Sequence, residues 1–303
     1  LISGSSPDYN NYYKYYPVYV SLPAGRTAIA VDNGYKHTCA ILDNGVVKCW
    51  GLGTGGQLGD GSMTNSATPV SVSLPTGRTA VALASGNYHT CAILDNGSVM
   101  CWGDNNHGQL GDGSTTDRTS PIHVDLGTNQ KAIQIDAGPE TTCVVIENGS
   151  AICWGYHGAQ TTGLPVYLPL PTGYSAIDLA VVRYKHTSTT RSIFIHLDDN
   201  RVCEVSAQGN VCSYIDFRRQ NGPGGTVYES MDLTAVAISA GSRGLCAVLV
   251  DGSLRCSDLS GYNSWQSHSY NSVGGSSIYT RASGGHSSGG MTGISGATCT
   301  VSP

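Results

Sequence analysis

Cysteine is the residue whose type and spacing carry the clearest chemical signal in this chain. Eleven cysteines occur among 303 residues. Thiolates bind zinc, but no Cys-x-x-Cys spacing is present, and cysteines ten apart are not a usual zinc ligand set. Disulfides are therefore predicted for five pairs: Cys39/Cys49, Cys91/Cys101, Cys143/Cys153, Cys203/Cys212 and Cys246/Cys256. Cys299 is left over, as a free thiol or a bond to another chain.

Three further residue types recur at fixed positions and could bind a ligand. The histidines could form a ring of ligands or bases, or each could bond a neighbouring turn. Two repeats lack the histidine, which would break such a ring, so the bond to a neighbouring turn is favoured. One carboxylate per Leu-Gly-Asp-Gly-Ser turn is too few for calcium and favours an Asx turn. The tryptophans could stack on sugars, but strict repetition favours packing between repeats. These residues are His37, His89, His186 and His286, then Asp60 and Asp112, then Trp50, Trp102 and Trp154.

The paired cysteines frame a short repeated element. In residues 39–49, two apolar runs surround Asp43-Asn44-Gly45, and similar runs return at 91–101 and 143–153. Pairing Leu42 with Val46 leaves a three-residue hairpin loop, whose last residue must be left-handed and is a glycine. The cysteines then fall on a non-hydrogen-bonded pair with Cα atoms roughly 4.5 Å apart, within disulfide reach. Each unit is predicted to be a hairpin with a disulfide across its open end.

The hairpins belong to a longer repeat, because Cys39, Cys91 and Cys143 are spaced by 52. An apolar strand precedes each hairpin and a strand opened by proline follows it, giving four short strands per ~50 residues, as in a β-propeller blade. The prediction is an all-β, single-domain propeller over residues 1–303, with six blades, or seven as the alternative. Its hairpins are expected near 34–51, 86–103, 138–155, 184–213, 241–257 and 283–301. In the fourth, residues 197–200 are an alternative turn.

The two ends of the chain complement each other. Residues 17–28 match residues 69–80, which follow a complete hairpin, whereas the chain stops just after its sixth hairpin. The strand at 17–22 is therefore predicted to complete the last blade and close the ring, which would remove exposed sheet edges.

A family resemblance follows from the longer motif. The pattern from Gly34 through His37 and Thr38 to Gly59 returns from Gly86 to Gly111. It resembles the repeat of the regulator of chromosome condensation family over about residues 27–170. The resemblance implies a β-propeller, and paired cysteines are similar to secreted bacterial and archaeal variants. Nuclear members have seven blades and no disulfide ladder, so their activities are not expected here. A branch of secreted propellers that inhibit β-lactamases implies a protein-binding disc.

Composition narrows the compartment and the partner class. A net charge of −5 with only 12% charged residues gives no reason to expect nucleic acid. No apolar run reaches the ~18 residues of a membrane span. Disulfides indicate an oxidising environment, hence secretion or the cell surface. A start at Leu1 fits a processed chain or a fragment.

Binding is the predicted function, with a protein, a second copy of this chain or a surface glycan as ligand, and no cofactor. Tyrosine gives contact area at low entropic cost, and the predicted binding residues are Tyr12, Tyr13, Tyr15, Tyr16, Tyr262 and Trp265. Asn96 and Asn148 match glycosylation sequons and also hairpin turns. The alternative is a glycan lyase or hydrolase. No catalytic motif is present, and its site would be sought at Arg183, Tyr184, His186, Arg191 and His196.

Overall fold

The computed structural model describes residues 19–157, 160–183, 191–205, 212–214, 235–240, 244–250, 252, 254–258 and 265–267. Within these ranges the chain forms twenty β-strands and no helix. They make five four-stranded antiparallel sheets, and in each the strand order follows the sequence. Each sheet is one propeller blade.

The blades have the following strands. Blade 1 contains β1 (Ala28–Asn33), β2 (His37–Leu42), β3 (Val47–Gly51) and β4 (Ser66–Ser71). Blade 2 contains β5 (Ala80–Ser85), β6 (His89–Leu94), β7 (Val99–Gly103) and β8 (Arg118–Val124). Blade 3 contains β9 (Ala132–Ala137), β10 (Thr141–Ile146), β11 (Ala151–His157) and β12 (Gln160–Tyr167). Blade 4 contains β13 (Ala176–Arg183), β14 (Arg191–Leu197), β15 (Val202–Val205) and β16 (Cys212–Tyr214). Blade 5 contains β17 (Ala235–Ala240), β18 (Gly244–Leu249), β19 (Leu254–Asp258) and β20 (Trp265–Ser267).

The first strands of consecutive blades contact one another, from β1 to β5, β9, β13 and β17. They are therefore the inner strands, and the all-β propeller is confirmed. The sixth hairpin at 283–301 lies outside the described residues. Residues 19–23 form no strand, and the side chain of Tyr19 is fully exposed. Six blades and closure of the ring by residues 17–22 thus stay predictions.

The predicted hairpin geometry is confirmed in blade 1. The Leu42 amide donates to the Val46 carbonyl over 2.9 Å, and the Gly45 amide donates to the Leu42 carbonyl over 2.8 Å. Gly45 has a φ of 73°, the left-handed region in which a Cβ is unfavourable. Three residues therefore close the turn, and the cysteine pair falls directly opposite in register.

Three disulfides are formed as predicted, Cys39–Cys49, Cys91–Cys101 and Cys143–Cys153, each with Cα atoms 4.1 Å apart. All six cysteines are completely buried. Cys246 is also disulfide-bonded, and Cys256 lies directly opposite it in the ladder. Cys299 lies outside the described residues.

The fourth hairpin differs from the expected 184–213. It is formed by β14 and β15, with the alternative turn that the sequence offered, and Asn200 has a φ of 65° where blade 1 has glycine. Cys203 consequently takes the position of a second cysteine and faces Ile195. Cys203 is disulfide-bonded, and its predicted partner Cys212 lies on the adjacent strand β16, opposite Val205. The bond between these two cysteines stays a prediction. The two cysteines are nine apart because they lie on the third and fourth strands of the blade, whereas the pairs ten apart lie on the second and third.

The core lies between blades rather than inside one sheet. Ile41 and Val47 of blade 1 pack in one cluster with Leu83 and Trp102 of blade 2. Each sheet therefore needs its neighbours to bury both faces, and the blades are held in a fixed order around the inner strands.

We expect the disulfides to contribute measurably to stability. A Cys91→Ala/Cys101→Ala double variant should lose about 2–3 kcal/mol of unfolding free energy, because a ten-residue loop is no longer closed in the unfolded chain. Urea denaturation of wild type and variant under non-reducing conditions measures this loss. Addition of reductant should lower the unfolding free energy of the variant less than that of the wild type. An equal loss in both proteins would contradict a stabilising role for the Cys91–Cys101 disulfide.

Candidate functional site

The recurrent histidines join consecutive blades. The Nε2 atom of His37 lies 2.9 Å from Oγ1 of Thr90, and Nε2 of His89 lies 2.9 Å from Oγ1 of Thr142. The Thr142 hydroxyl donates its one proton to the Gln109 carbonyl over 3.0 Å, so the histidine must donate to it. Burial lowers the pKa of His37 to about 4. His37 is therefore neutral near pH 7, and both buried rings support the structural interpretation. His186 and His286 lie outside the described residues.

The tryptophans also connect blades, as the sequence predicted. Nε1 of Trp102 donates to the Gln57 carbonyl over 3.0 Å, and Nε1 of Trp154 donates to the Gln109 carbonyl over 2.9 Å. Both rings are completely buried, and Trp50 is nearly so. A Trp and a Thr of one blade thus donate to one carbonyl of the preceding blade. We call this arrangement the interblade clasp, formed by Trp102, Thr90 and Gln57 and again by Trp154, Thr142 and Gln109.

The clasp depends on a glycine. Gly59, two residues after Gln57, has a φ of 68°, and a Cβ there would lie 2.7 Å from Nε1 of Trp102. Gly111 has the same relation to Trp154, with a distance of 2.9 Å. The repeated Gly-Gln-Leu-Gly sequence therefore presents a carbonyl to the next blade and leaves room for its indole.

The Asp turns are structural, as predicted. Oδ1 of Asp60 accepts from the Ser62 amide over 3.0 Å, and Oδ1 of Asp112 accepts from the Ser114 amide over 2.9 Å. Partial burial would raise the pKa of Asp112, but hydrogen bonds from Arg118 and Ser114 outweigh it and hold the pKa at about 2.

The two sequon asparagines also take part in turns. Oδ1 of Asn96 accepts from the Ser98 amide over 3.1 Å, and Oδ1 of Asn148 accepts from the Ser150 amide over 2.9 Å. Turn chemistry alone accounts for both residues, and their glycosylation stays a prediction.

One end of the propeller carries the hairpin loops and the starts of the inner strands, and we call it the hairpin face. The two features are tied together, because the Asp43 amide donates to the Thr27 carbonyl over 2.9 Å. The Asp95 amide donates equally to the Thr79 carbonyl in blade 2. The same bond returns in blades 3 and 4, so the starts of these four strands are held beside their own hairpin loops.

Five exposed aliphatic side chains lie on this face, one at the start of each inner strand. Each is the extra residue of a β-bulge, since the ladder skips it. They are 38–65% exposed, an unusual repetition for β-branched aliphatic residues. We call this set the aliphatic arc: Ile29, Val81, Ile133, Ile177 and Val236.

Ion pairs lie beside the arc. Arg26 lies 3.7 Å from Asp43, Arg78 lies 3.2 Å from Asp95, and the pair Lys131–Glu147 is separated by 3.5 Å. Each links a residue one or two positions before an inner strand to the hairpin loop of the same blade. Such exposed pairs add little stability. They add paired charges to the face that carries the aliphatic arc.

The opposite end carries the longer loops, and we call it the long-loop face. Tyr35 and Tyr88 meet edge to face, with ring centroids 5.8 Å apart. Lys36 lies 5.2 Å from the Tyr35 ring centre, and the rings of His107 and Tyr156 are 5.7 Å apart. This face presents a partly exposed aromatic patch.

Two carboxyl groups are buried between blades. Oδ2 of Asp32 accepts from the Ser85 amide of blade 2, while its Oδ1 has no partner in the described part of the chain. Oδ2 of Asp136 accepts from the Val181 amide over 2.8 Å. Burial raises the pKa of Asp32 to about 7 and that of Asp136 well above its usual value. Both therefore bind protons more readily in the folded state.

The predicted enzyme site is only partly described. Among its five residues, the side chain is described for His196 alone. Its Nε2 atom lies 2.8 Å from the Ala235 carbonyl oxygen of blade 5. Burial lowers the pKa of His196. The strands reach Arg183 and Arg191, whereas Tyr184 and His186 lie outside the described residues. His196 thus joins blades as His37 does.

The predicted tyrosine surface is largely outside the described residues, which exclude Tyr12, Tyr13, Tyr15, Tyr16 and Tyr262. The backbone of Trp265 is described and pairs with Ser257 in blade 5. Among the described residues, no three His, Cys, Asp or Glu side chains gather as metal ligands. No helix there is long and apolar enough to cross a membrane.

Sequence reasoning missed the aliphatic arc, although a signal for it is present. Every described inner strand opens with alanine followed by isoleucine or valine, at 28–29, 80–81, 132–133, 176–177 and 235–236. The alternation of side chains along a strand places one residue of each pair in the core. The β-bulge at which the second residue is exposed cannot be recognised from the sequence.

Comparisons with known proteins agree with this fold. Two family models, both described as regulator of chromosome condensation (RCC1) repeat, match residues 27–57 and 80–109, and residues 44–93 and 96–145. The chain is 30% identical over 179 residues to the ultraviolet-B receptor UVR8 of Arabidopsis thaliana, covering 56% of this chain and 41% of that protein. It is 36% identical over 131 residues to the probable E3 ubiquitin-protein ligase HERC3 of Homo sapiens, covering 43% of this chain and 12% of that protein. The chain thus spans less than half the length of these relatives.

Solved structures show the same architecture. Human WBSCR16 superposes with a TM-score of 0.63 at 19% identity, covering 78% of this chain and 64% of that one. Prp20p from Saccharomyces cerevisiae superposes with a TM-score of 0.58 at 17% sequence identity, covering 77% of this chain and 58% of that one. Its structure was described together with its binding properties to Gsp1p and histones. At these identities the likeness concerns the fold alone.

We expect the glycine in the clasp to be intolerant of a side chain. Gly59→Ala should cost at least about 2 kcal/mol more than Gly77→Ala, because the new methyl group would overlap the Trp102 indole. Gly77 is a matched control, since its φ of 76° is similar and a Cβ there meets nothing within 4 Å. Urea denaturation of both variants measures the difference, and equal losses would show that backbone conformation alone matters.

We expect Asp32 to make stability depend on pH. Its folded pKa of about 7 exceeds the unfolded value near 3.8, so its stabilising contribution is complete below pH 4 and is lost as pH rises towards 7. Asp32→Asn keeps a side-chain oxygen that can accept from the Ser85 amide, but the asparagine cannot ionise. Relative to wild type it should gain stability between pH 4 and 8, by up to about 4 kcal/mol.

Denaturation curves at several pH values test this prediction. Asp125→Asn is the matched control, because Asp125 is exposed and accepts from the Gly127 amide in a turn that asparagine also forms. Parallel pH profiles for wild type and Asp32→Asn would contradict the assignment.

Proposed function

We propose, from the regulator of chromosome condensation repeats that occupy residues 27–145 of this propeller, that the protein acts by binding another protein through its hairpin face. The observation that carries the proposal is the aliphatic arc, an exposed apolar centre repeated in five blades. Isolated exposed aliphatic residues are ordinary, but here the same bulge position carries one in each of five adjoining blades, and exposed apolar surface among polar groups is characteristic of interaction sites.

The relatives support a binding role. UVR8 is named as a receptor and HERC3 as a probable ubiquitin ligase, and Prp20p is described as binding Gsp1p and histones. These proteins differ in activity, so the shared repeats favour recognition of a protein rather than one reaction. The ligand of this chain is then set by the residues on its own face.

The buried disulfides support an extracellular setting. Three cysteine pairs are completely buried and lie between the middle strands of their blades. Such bonds form and persist in oxidising compartments. We therefore propose that the protein is secreted or displayed at the cell surface and meets its partner there. Self-assembly is one version of this proposal, in which the partner is a second copy.

A surface glycan is the second candidate ligand, favoured by the aromatic patch on the long-loop face. Tyr35 and Tyr88 are partly exposed and adjacent, and Lys36 lies against one ring. The two candidates use opposite ends of the propeller. Tyr35→Ala/Tyr88→Ala on a glycan array therefore tests the second candidate without changing the arc.

Substitutions in the arc test the first candidate. Val81→Asp/Ile133→Asp places charges in the apolar centre and should weaken partner binding at least tenfold, or about 1.4 kcal/mol. Val166→Asp is the matched control, because Val166 is 41% exposed on the outer strand of blade 3. The partner is first captured from the extracellular protein fraction with wild type, and its Kd is then measured against all three proteins.

Equal Kd values for the three proteins would overturn the use of the hairpin face. Solution size of the wild type and the arc variant distinguishes self-assembly from a different partner, since only self-assembly changes the mass of the purified protein.

A further inference from the structure

We infer that a strip of side chains across blades 2 and 3 on the long-loop face binds a neutral oligosaccharide. The inference rests on the second candidate of the proposed function, a surface glycan, and assigns both its site and its chemical class. The strip contains two tyrosines, each opposite a carboxylate, and a histidine between the two pairs. We call it the saccharide strip: Tyr88, Asp104, His107, Glu140 and Tyr156.

Each tyrosine of the strip faces a carboxylate across two neighbouring strands. The Asp104 amide donates to the Tyr88 carbonyl over 2.9 Å, immediately beyond the ladder of β6 and β7. The Tyr156 amide donates to the Glu140 carbonyl over 2.8 Å at the same place in blade 3. Residues directly opposite each other in an antiparallel ladder project to the same side. Each tyrosine and its carboxylate therefore lie on one side of their blade.

The two pairs use the same positions with the residue types exchanged. One position precedes the second strand of the blade, and the other follows the Trp-Gly sequence. The tyrosine takes the first position in blade 2 and the second in blade 3. Blade 1 has Lys36 and Leu52 there, joined by the same backbone hydrogen bond over 2.8 Å. Packing of the repeat thus does not explain why a tyrosine meets a carboxylate in both blades.

His107 connects the two pairs. It lies in the loop between β7 and β8, and its Nε2 atom is 3.6 Å from Oε2 of Glu140. Its ring centre is 5.7 Å from that of Tyr156, with an angle of 53° between the rings. Its amide donates to Oε1 of Gln109 over 2.8 Å, and the Gln109 side-chain amide donates to Asp104. One loop of blade 2 thus joins the two pairs into a continuous strip.

The fold orients the strip before any ligand binds. Gln109 is buried, and its carbonyl accepts from the Trp154 indole in the interblade clasp. The Asn106 side-chain amide also donates to Asp104, so both oxygens of this carboxylate have a fixed donor. Side chains that are already ordered lose little conformational entropy on binding.

The strip is open to solvent. The side chain of His107 is 42% exposed, that of Glu140 is 26% exposed, and Tyr88 is 37% exposed. At the position of His107, blade 1 has Gly55, where a Cβ would lie 3.8 Å from Cβ of Asp104. The preceding loop therefore places no side chain there over the pair in blade 2.

A tyrosine beside a carboxylate suits a sugar ring. The C–H face of a sugar can pack on the phenol ring, while its hydroxyl groups donate to the carboxylate. Hydrogen bonds to a charged acceptor are stronger than those between neutral groups. Because the pairs lie in neighbouring blades and are joined by His107, they fit consecutive units of an oligosaccharide.

The charges around the strip favour a neutral glycan over an acidic one. Burial raises the pKa of Asp104, and the nearby charge of Asp117 raises it further. A further negative charge beside these carboxylates is unfavourable. A uronic or sialic acid would bring such a charge, whereas the hydroxyl groups of a neutral sugar supply the donors that the carboxylates accept.

Isothermal titration of the purified chain with defined oligosaccharides tests the inference. The probes are neutral tetrasaccharides of glucose, mannose, galactose and xylose, with tetragalacturonate as the acidic counterpart of the galactose probe. We expect at least one neutral probe to bind, and tetragalacturonate to bind at least about tenfold more weakly than that probe.

Two substitutions in the second pair test the residues themselves. Tyr156→Ala removes the ring, and each of Tyr156→Ala and Glu140→Gln should weaken binding of the neutral probe at least about fivefold. Glu140→Gln preserves the side-chain volume, so it tests the strip even if loss of the ring destabilises blade 3. The matched controls, Tyr167→Ala on the outer strand β12 and Glu147→Gln on the hairpin face, should bind as wild type does.

The outcomes separate this inference from the proposed function. Preference for tetragalacturonate, or neutral binding that Glu140→Gln leaves unchanged, would overturn the strip while a glycan remains the ligand. Lack of binding of every probe would also overturn the inference, whereas the glycan array decides independently whether any glycan is bound. Protein binding at the aliphatic arc is measured with its own variants on the opposite face.

Discussion

The structure depends on one hydrogen-bonded contact between blades, in which a backbone carbonyl accepts from the blade that follows it. The Gln57 carbonyl receives the Trp102 indole at 3.0 Å and the Thr90 hydroxyl at 3.3 Å. The same arrangement returns around Gln109. Because these groups are buried, leaving one unpaired would cost about 1–3 kcal/mol. The clasp therefore fixes the relative positions of blades 1, 2 and 3.

The aliphatic arc also depends on the order of the blades. The aliphatic arc consists of single residues contributed by five sheets, so it exists only while the inner strands stay side by side. The disulfides hold each pair of middle strands in register, and a shift by one residue would turn every side chain of a strand to the opposite face of its sheet. Covalent bonds within blades and hydrogen bonds between blades thus serve different parts of the same surface.

Buried polar groups in this protein belong mainly to the joints between blades. His37 and His196 both bond the following blade, and burial lowers the pKa of each. Asp32 and Asp136 bond backbone amides of the following blades, and burial raises their pKa values. In residues that resemble catalytic groups by type, the packing of the propeller thus shifts the pKa towards the uncharged form. The apolar residues at the surface are the better guide to function.

The sequence by itself determined the propeller, the blade hairpins and three disulfides, because these depend on local spacing. The turn at Gly45 and the pair Cys39–Cys49 are ten residues or fewer apart, and alternation assigns their faces. Only the tertiary structure decided the register of blade 4, where Asn200 took the position of glycine and Cys203 moved to the other strand. It also decided which aliphatic residues meet water. A β-bulge changes the side to which one residue points, and five bulges form a surface only when the inner strands of five blades lie together.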